Sequence, residues 1–598
     1  MLFTITRGLI LAAIVFCSGA YAAKITQNTN ARPHINLDGA WHYIADPYEN
    51  GFYNHRYQEH TRDGYFKNAQ VEQPGDLIEY DFANAATLNV PGDWNTQQDE
   101  LFLYEGTVWY QRDFTLNKSR DERYILHFGA ANYEAVVYVN GQKVGTHIGG
   151  FTPFEFDVTD VVSDGDNFVI VKVDNRRERE QIPTVNTDWW NYGGLTRSVK
   201  LLTLPKQHIS DYSIHLADGD SNSITGWVEL NQPLNNARVT VEIPELKVKQ
   251  TLKFTGDARQ NFQFKAEPIL WGPSNPKLYD VHFRLQEQTL SDRIGFRQID
   301  TKGEDILLNG KPIFLKGISI HEESALHPGR AWSQADAKQL LSMAKELGVN
   351  FVRLAHYPHN EHMVRMADEM GLLVWSEIPV YWTVLFERDD VYANAQNQLS
   401  EMISRDKNRA SIILWSMANE TPMSDARLTF ISKLAAKARE LDGTRLITAA
   451  LDTSSETDKG KSIDDPLSAV VDVIGINNYC GWYYKEPAQC AKVRWFSDNN
   501  KPVIMSEFGG GALAGYHGAA EQRWSEEYQA DLYRYNLQMI DNMSFIRGMT
   551  PWILKDFRSP RRPLANIQDF WNRKGLVSDK GVKKQAWHIL NQYYEQHQ

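Results

Sequence analysis

Two glutamates stand where a carboxylate could do chemistry. Ser411-Ile412-Ile413-Leu414-Trp415-Ser416-Met417-Ala418-Asn419-Glu420 opens on an unbroken apolar run, turns small and polar, and ends in Asn-Glu before a Thr-Pro. Lys501-Pro502-Val503-Ile504-Met505-Ser506-Glu507 repeats the plan and is followed by Phe508 and Gly509 to Gly511. A short apolar run bounded by a turn signal reads as a strand buried on both faces, as in a parallel sheet. The carboxyl ends of such strands are where α/β barrels build active sites. Paired carboxylates there are the equipment of glycoside hydrolysis, one as proton donor and one as nucleophile or base. The plainer alternative is a pair of exposed glutamates capping the helices that follow.

These two strands need a scaffold. After Ile306-Leu307-Leu308-Asn309-Gly310, strands alternate with helices, the mark of βαβ units. Strand candidates are Ile313–Ile318, Asn350–Leu354, Leu372–Ser376, Ser411–Trp415, Arg445–Ala449, Val471–Ile476, Pro502–Met505 and Gly548–Leu554. Between the first two, Ser333 to Leu347 carries apolar residues at helical spacing, a capping-box pair in Ser333 and Asp336, and Gly348 as a stop. Eight strands with intervening helices make residues 304–598 a (β/α)8 TIM barrel. Glu420 then ends its fourth strand and Glu507 its seventh.

Upstream the pattern is all β. Residues 23–204 show short alternating runs such as Thr107–Phe114, and Glu134–Val139 runs into Asn140-Gly141, a strong hairpin signal. They read as an N-terminal jelly-roll β-sandwich. Its last part, Thr187-Asp188-Trp189-Trp190-Asn191-Tyr192-Gly193-Gly194-Leu195-Thr196-Arg197, is too aromatic and glycine-rich for a plain connector; it is a packed tryptophan corner or part of a site. Residues 205–303, with strands at Ala237–Ile243, Leu252–Phe254 and Tyr279–Leu285, fit an immunoglobulin-like β-sandwich acting as a spacer.

Composition narrows the partners. With 598 residues the chain needs several cores, and its net charge of −12 without a basic run argues against nucleic acid. Residues 1–22 read as a secretory signal, with Arg7 ahead of an apolar run from Leu9 to Phe16 and an Ala20-Tyr21-Ala22 cleavage site. The run is too short to span a membrane, so export to the periplasm or beyond is expected. Two cysteines then remain, Cys480 and Cys490, as a disulfide or as free thiols. No metal-ligand spacing occurs, and no cofactor is expected.

At the level of motifs the chain resembles glycoside hydrolase family 2, which joins a jelly roll, an immunoglobulin-like domain and a barrel. The resemblance covers nearly the whole chain after residue 22. It rests on Asn408-Arg409 to Asn419-Glu420 and on Ser506-Glu507-Phe508-Gly509. Within the family the β-glucuronidases look most similar, through Gly149-Gly150-Phe151-Thr152-Pro153-Phe154-Glu155, Asn191-Tyr192-Gly193-Gly194, His356-Tyr357-Pro358, Tyr479-Cys480-Gly481-Trp482-Tyr483, Trp524 to Gln529 and Asn572-Arg573-Lys574-Gly575.

The resemblance implies a retaining hydrolase acting on an acidic oligosaccharide or glucuronide, with Glu420 as acid/base and Glu507 as nucleophile. It implies that Asn419 meets the sugar 2-hydroxyl, that Tyr479 donates to the nucleophile, and that His356 contacts sugar at the end of the second strand. Trp552, ending the eighth strand, becomes a floor under the ring, and Asp188 reaches in from the jelly roll. Asn572 and Lys574 would hold a uronic carboxylate, unless Lys574 is a solvated loop lysine. Arg558, Arg561 and Arg562 are either surface or a grip on the next acidic sugar. The chain departs from the family pattern at Ala355, at Cys480 and through Arg558 to Trp571. A neutral-sugar β-galactosidase and a non-catalytic carbohydrate-binding protein remain as alternatives, and the family's habits allow a homo-oligomer.

Overall fold

The computed structural model describes residues 25–59, 81–453, 456–457 and 460–597; the expected signal at 1–22 lies outside them. The C-terminal part is a closed parallel barrel of eight strands in sequential order. They are β1 (Leu315–Ile320), β2 (Phe351–Leu354), β3 (Leu373–Glu377), β4 (Ile412–Asn419), β5 (Leu446–Asp452), β6 (Val473–Asn477), β7 (Val503–Glu507) and β8 (Ile546–Met549). Alternation along the strands sorts their side chains. Val352, Val374 and Ile412 pack outward in the large core shared with the helices. Phe351, Leu373, Trp375 and Ile413 fill a separate inner cluster with Trp271 of the preceding sandwich. On β2 and β3 the same alternation continues from Phe351 and Trp375 to Arg353 and Glu377, so an apolar inner layer gives way to charge.

Local signals set the element ends. The helix Gln334–Glu346 starts on a reciprocal capping box between Ser333 and Asp336. The helix Glu361–Met370 stops at Gly371, whose φ of +69° suits glycine. The eighth strand is displaced from its expected span of Gly548–Leu554, ending instead at Met549. The apolar run goes on, but Pro551 has no N–H to give a ladder, and Trp552 leaves on the loop beyond.

The N-terminal domain is a sandwich of a six-stranded and a four-stranded antiparallel sheet closed around one apolar core. Its Glu134–Val139 strand turns at Asn140 and Gly141, both at positive φ, as the Asn-Gly signal demands. The second domain packs a three-stranded sheet on a four-stranded one. It is seated firmly under the barrel: Trp271 Nε1 donates to Asp368 O at 2.9 Å, and Arg297 Nε donates to Ala410 O at 3.1 Å. Among the described residues no helix is long and apolar enough to cross a membrane.

Thr187–Arg197 is both packed corner and site wall. Trp190 packs against Phe102 and Phe570, while Trp189 lies 4.9 Å from Tyr381 and 5.7 Å from His356, at the mouth of the barrel. Cys480 and Cys490 form a disulfide, which resolves the alternative left open above.

Candidate active site

The carboxyl ends of the barrel strands open into a cavity of about 760 Å³. Glu507, the last residue of β7, meets two donors. Arg353 Nη1 of β2 donates to its Oε1 at 2.6 Å, and Tyr479 Oη, two residues past β6, donates to Oε2 at 2.6 Å. Arg353 is fully buried and serves three strands at once, since its Nη2 donates to Glu377 Oε1 at 3.1 Å and to Asn419 Oδ1 at 2.7 Å. Burial pushes the Glu507 carboxyl up, and the Arg353 cation and the Tyr479 hydroxyl hold it back, with a net rise. Burial and the charge of Glu507 raise the Tyr479 phenol, so it stays a donor.

Glu420 lies one residue past β4, at a left-handed φ of +47°. Such a backbone costs a non-glycine residue about 1–2 kcal/mol, and here its N–H donates to Ala450 O at 2.9 Å. Strain of this kind concentrates at functional sites. Its carboxyl accepts from Trp382 Nε1 at 2.8 Å and from Asn477 Nδ2 at 3.0 Å. Desolvation, then the charge of Glu507, pushes its pKa up to about 7, against those two bonds. One carboxyl is thus protonated near neutrality beside a second that two donors favour as an anion. Two carboxyls whose surroundings favour different protonation states are what acid–base chemistry between a carboxylate pair requires.

His356 Nδ1 lies 2.9 Å from Glu377 Oε1, and its Nε2 4.0 Å from Glu507 Oε1. Burial, then the Arg353 charge, keeps this imidazole neutral. Nδ1 then donates to the carboxylate, leaving Nε2 as an acceptor. Trp552 stacks on the ring at 4.7 Å, which makes it a floor of the cavity although it sits on the loop after β8. His356 also lies two residues past its strand rather than ending it.

On the cavity's other wall stands Lys574, only 4% exposed, which excludes a solvated loop lysine. Its Nζ donates to Tyr483 Oη at 3.0 Å and lies 5.3 Å from the Tyr479 ring centroid. Among the described residues no carboxylate pairs with it. Asp188 arrives from the jelly roll and is held by Ser559 Oγ at 2.6 Å, Arg562 Nε at 3.0 Å and Asn572 Nδ2 at 3.1 Å. Its carboxylate therefore organises Arg562 and Asn572 as well as facing the cavity. The Lys574 and Arg562 cations outweigh burial at the Tyr483 phenol and pull its pKa down.

Seven of the nine residues singled out in the sequence line this one cavity: Asp188, His356, Glu420, Tyr479, Glu507, Trp552 and Lys574. Asn419 and Asn572 lie behind the lining. Asn572 spends its amide on Asp188 and on the Lys574 N–H, while Asn419 Nδ2 is buried without a protein partner. Arg561 and Arg562 reach the cavity; Arg558 is instead packed 4.4 Å from the Trp571 ring. The sequence reading missed Arg353, Glu377, Trp382 and Asn477. The available signal was a charge or amide at the end of a buried barrel strand, which all but Trp382 display.

Comparison with known proteins agrees across the chain. The family model described as glycosyl hydrolases family 2, TIM barrel domain, matches residues 299–598. That family's sugar binding domain matches 36–205, and a third model, described as glycosyl hydrolases family 2, matches 207–297. A β-glucuronidase from Paenibacillus borealis is 29% identical, over 94% of this chain and 97% of that relative. The Bifidobacterium dentium β-glucuronidase structure with coumarin-3-O-glucuronide superposes with a TM-score of 0.80 at 27% identity, covering 95% and 97% of the two chains. A β-galacturonidase from Eisenbergiella tayi bound to galacturonate does so with a TM-score of 0.78 at 25% identity, covering 95% and 98%.

Proposed function

The chain belongs to glycosyl hydrolases family 2, and from that premise we propose that it is an exported, retaining β-glucuronidase. The observation that carries the uronide reading is Lys574. A buried ammonium needs an anionic partner, and this one faces the cavity with no carboxylate paired to it among the described residues. A uronic carboxylate at the sugar's C5 supplies the missing charge, with Tyr483 and Arg562 adjoining.

In this reading the ring lies over Trp552, and Glu420 gives its proton to the glycosidic oxygen as the bond to the anomeric carbon breaks. Glu507, oriented by Arg353 and Tyr479, attacks that carbon and forms a glycosyl ester. Forming the ester removes its negative charge, so the second of the two influences that raised Glu420 disappears, while burial stays, when Glu420 must act as base. Glu420 then takes a proton from water, which releases the sugar with its configuration retained.

Export is proposed from the Arg7, Leu9–Phe16, Ala20-Tyr21-Ala22 pattern and gains support from the disulfide, which suits an oxidising compartment. N-terminal sequencing of the secreted protein tests it.

The decisive comparison is hydrolysis of nitrophenyl β-glucuronide, β-galacturonide and β-galactoside by wild type and by Lys574→Met. The galacturonide belongs there because C4 epimers present the same carboxylate to Lys574. A buried charged hydrogen bond is worth about 2–5 kcal/mol, so the uronide preference should fall by about thirtyfold or more. A dominant galactoside activity indifferent to Lys574 makes the enzyme a neutral-sugar hydrolase. Binding without turnover makes it a carbohydrate-binding protein.

A further inference from the structure

Arg561 belongs to the stretch that departs from the family pattern, and the reaction just proposed leaves it without work. Its guanidinium lies 5.1 Å from the Trp382 ring centroid, exposed at the cavity mouth. Its side-chain hydrogen bond goes to the neutral amide oxygen of Asn186. No carboxylate pairs with it among the described residues, whereas its neighbour Arg562 is neutralised by Asp188.

Its position fixes what it would meet. Trp382 donates to Glu420 Oε2 at 2.8 Å, and Glu420 protonates the departing oxygen, so the aglycone leaves past the Trp382 side of the cavity. The guanidinium lies over the indole ring, against which Tyr381 packs at 4.4 Å, so Trp382 holds Arg561 in place, and the outward N–H edge of the guanidinium suits a planar oxyanion.

We propose that Arg561, held over Trp382, forms a +1 subsite for an anionic sugar, so that the substrate is an oligosaccharide with a terminal uronate followed by a residue bearing a carboxylate or a sulfate ester. This rests on the uronidase reading for the terminal sugar only. Asp452 lines the same cavity and would repel an anion lying over it, so the +1 sugar takes the Arg561 side.

The test uses disaccharides with one terminal β-glucuronosyl unit and a neutral, a carboxylated or a sulfated second sugar. The readout is the ratio of kcat/KM for each anionic substrate to that for the neutral one. Wild type should favour an anion about three- to tenfold at low salt, as expected for one partly exposed charged contact, and less at 0.5 M NaCl. Arg561→Ala should bring the ratio to about one, and Arg561→Lys should restore part of it. A preference for only one anion identifies which group the natural substrate carries. A wild-type ratio of one or below overturns the proposal, as does a ratio that survives Arg561→Ala or answers to Asp452→Asn instead. Should the terminal sugar prove to be galacturonate or galactose, the series built on that sugar gives the same ratio, and failure of the uronide reading stays separate from failure of the subsite.

Discussion

Replacing Trp382 with phenylalanine should move the basic limb of the pH profile upward. The substitution keeps most of the aromatic surface but deletes the Nε1–H that Glu420 Oε2 accepts at 2.8 Å. With Glu420 as the proposed proton donor and Glu507 as the anion, kcat/KM is flat between their two pKa values and falls tenfold per pH unit above that of Glu420. Wild type should therefore turn down at about pH 7. A hydrogen bond to a carboxylate stabilises the charged form by about 1.5 kcal/mol, and one pKa unit is about 1.36 kcal/mol. Loss of the donor should place the limb near pH 8. At pH 9 wild type would then keep roughly 1% of its plateau and the variant roughly 10% of its own. The assay needs an alkyl β-glucuronide, because a nitrophenyl group leaves almost without protonation. Plateau height reports packing and aglycone contact as well, so the position of the limb is the readout. A limb that stays put, or moves down, would refute the assignment of Glu420 as the acid tuned by Trp382.

Glu507→Gln should lower turnover by at least about 10³-fold while leaving the melting temperature close to wild type, measured by steady-state kinetics and calorimetry. Glu420→Ala should harm alkyl glucuronides far more than nitrophenyl glucuronide in the first, glycosylation step, read from pre-steady-state bursts. Glu322 is buried between Arg197 and Arg330, whose charges outweigh desolvation and hold its carboxyl at about 2 instead of 4.5. Because the folded pKa is depressed, its stabilisation of about 3 kcal/mol is present above pH 4.5 and lost as pH falls toward 2. Glu322→Gln should lower the melting temperature at pH 7 and flatten its dependence on pH between 4.5 and 2. Cys480→Ser with Cys490→Ser opens a short loop and should cost about 2–3 kcal/mol in denaturant unfolding.

Glu420 and Glu507 were legible because a buried strand that ends on a carboxylate is a local pattern. Lys574 was legible as part of a motif, but its burial under Tyr483 was not, since the loop that covers it lies far off in sequence. Arg353 shows the limit more sharply. A charge inside the four-residue strand Phe351–Leu354 is visible to anyone reading the chain. Its partners come from β3, β4 and β7, and only closure of the barrel brings those together. The end of β8 was misread because apolar residues continue past Pro551; hydrogen bonding, not hydropathy, terminates that strand. Trp382 left no such trace: it sits on a loop at a φ of +54° and owes its role to a contact made in the folded chain.

Asp188 belongs to one domain, while Ser559, Arg562 and Asn572, which grip it, belong to another. The sugar site is therefore a seam, and catalysis doubles as a gauge of how tightly the seam is drawn. A slip of about 1 Å between jelly roll and barrel would leave both cores intact and the melting curve almost unmoved. It would still pull Arg562 and Asn572 off register, and misplacements of about 1 Å cost about 10²-fold in rate. Conversely, a sugar bound across the seam fastens the two domains to each other, so an inhibitor should make them unfold as one unit even where the free enzyme lets them come apart in turn.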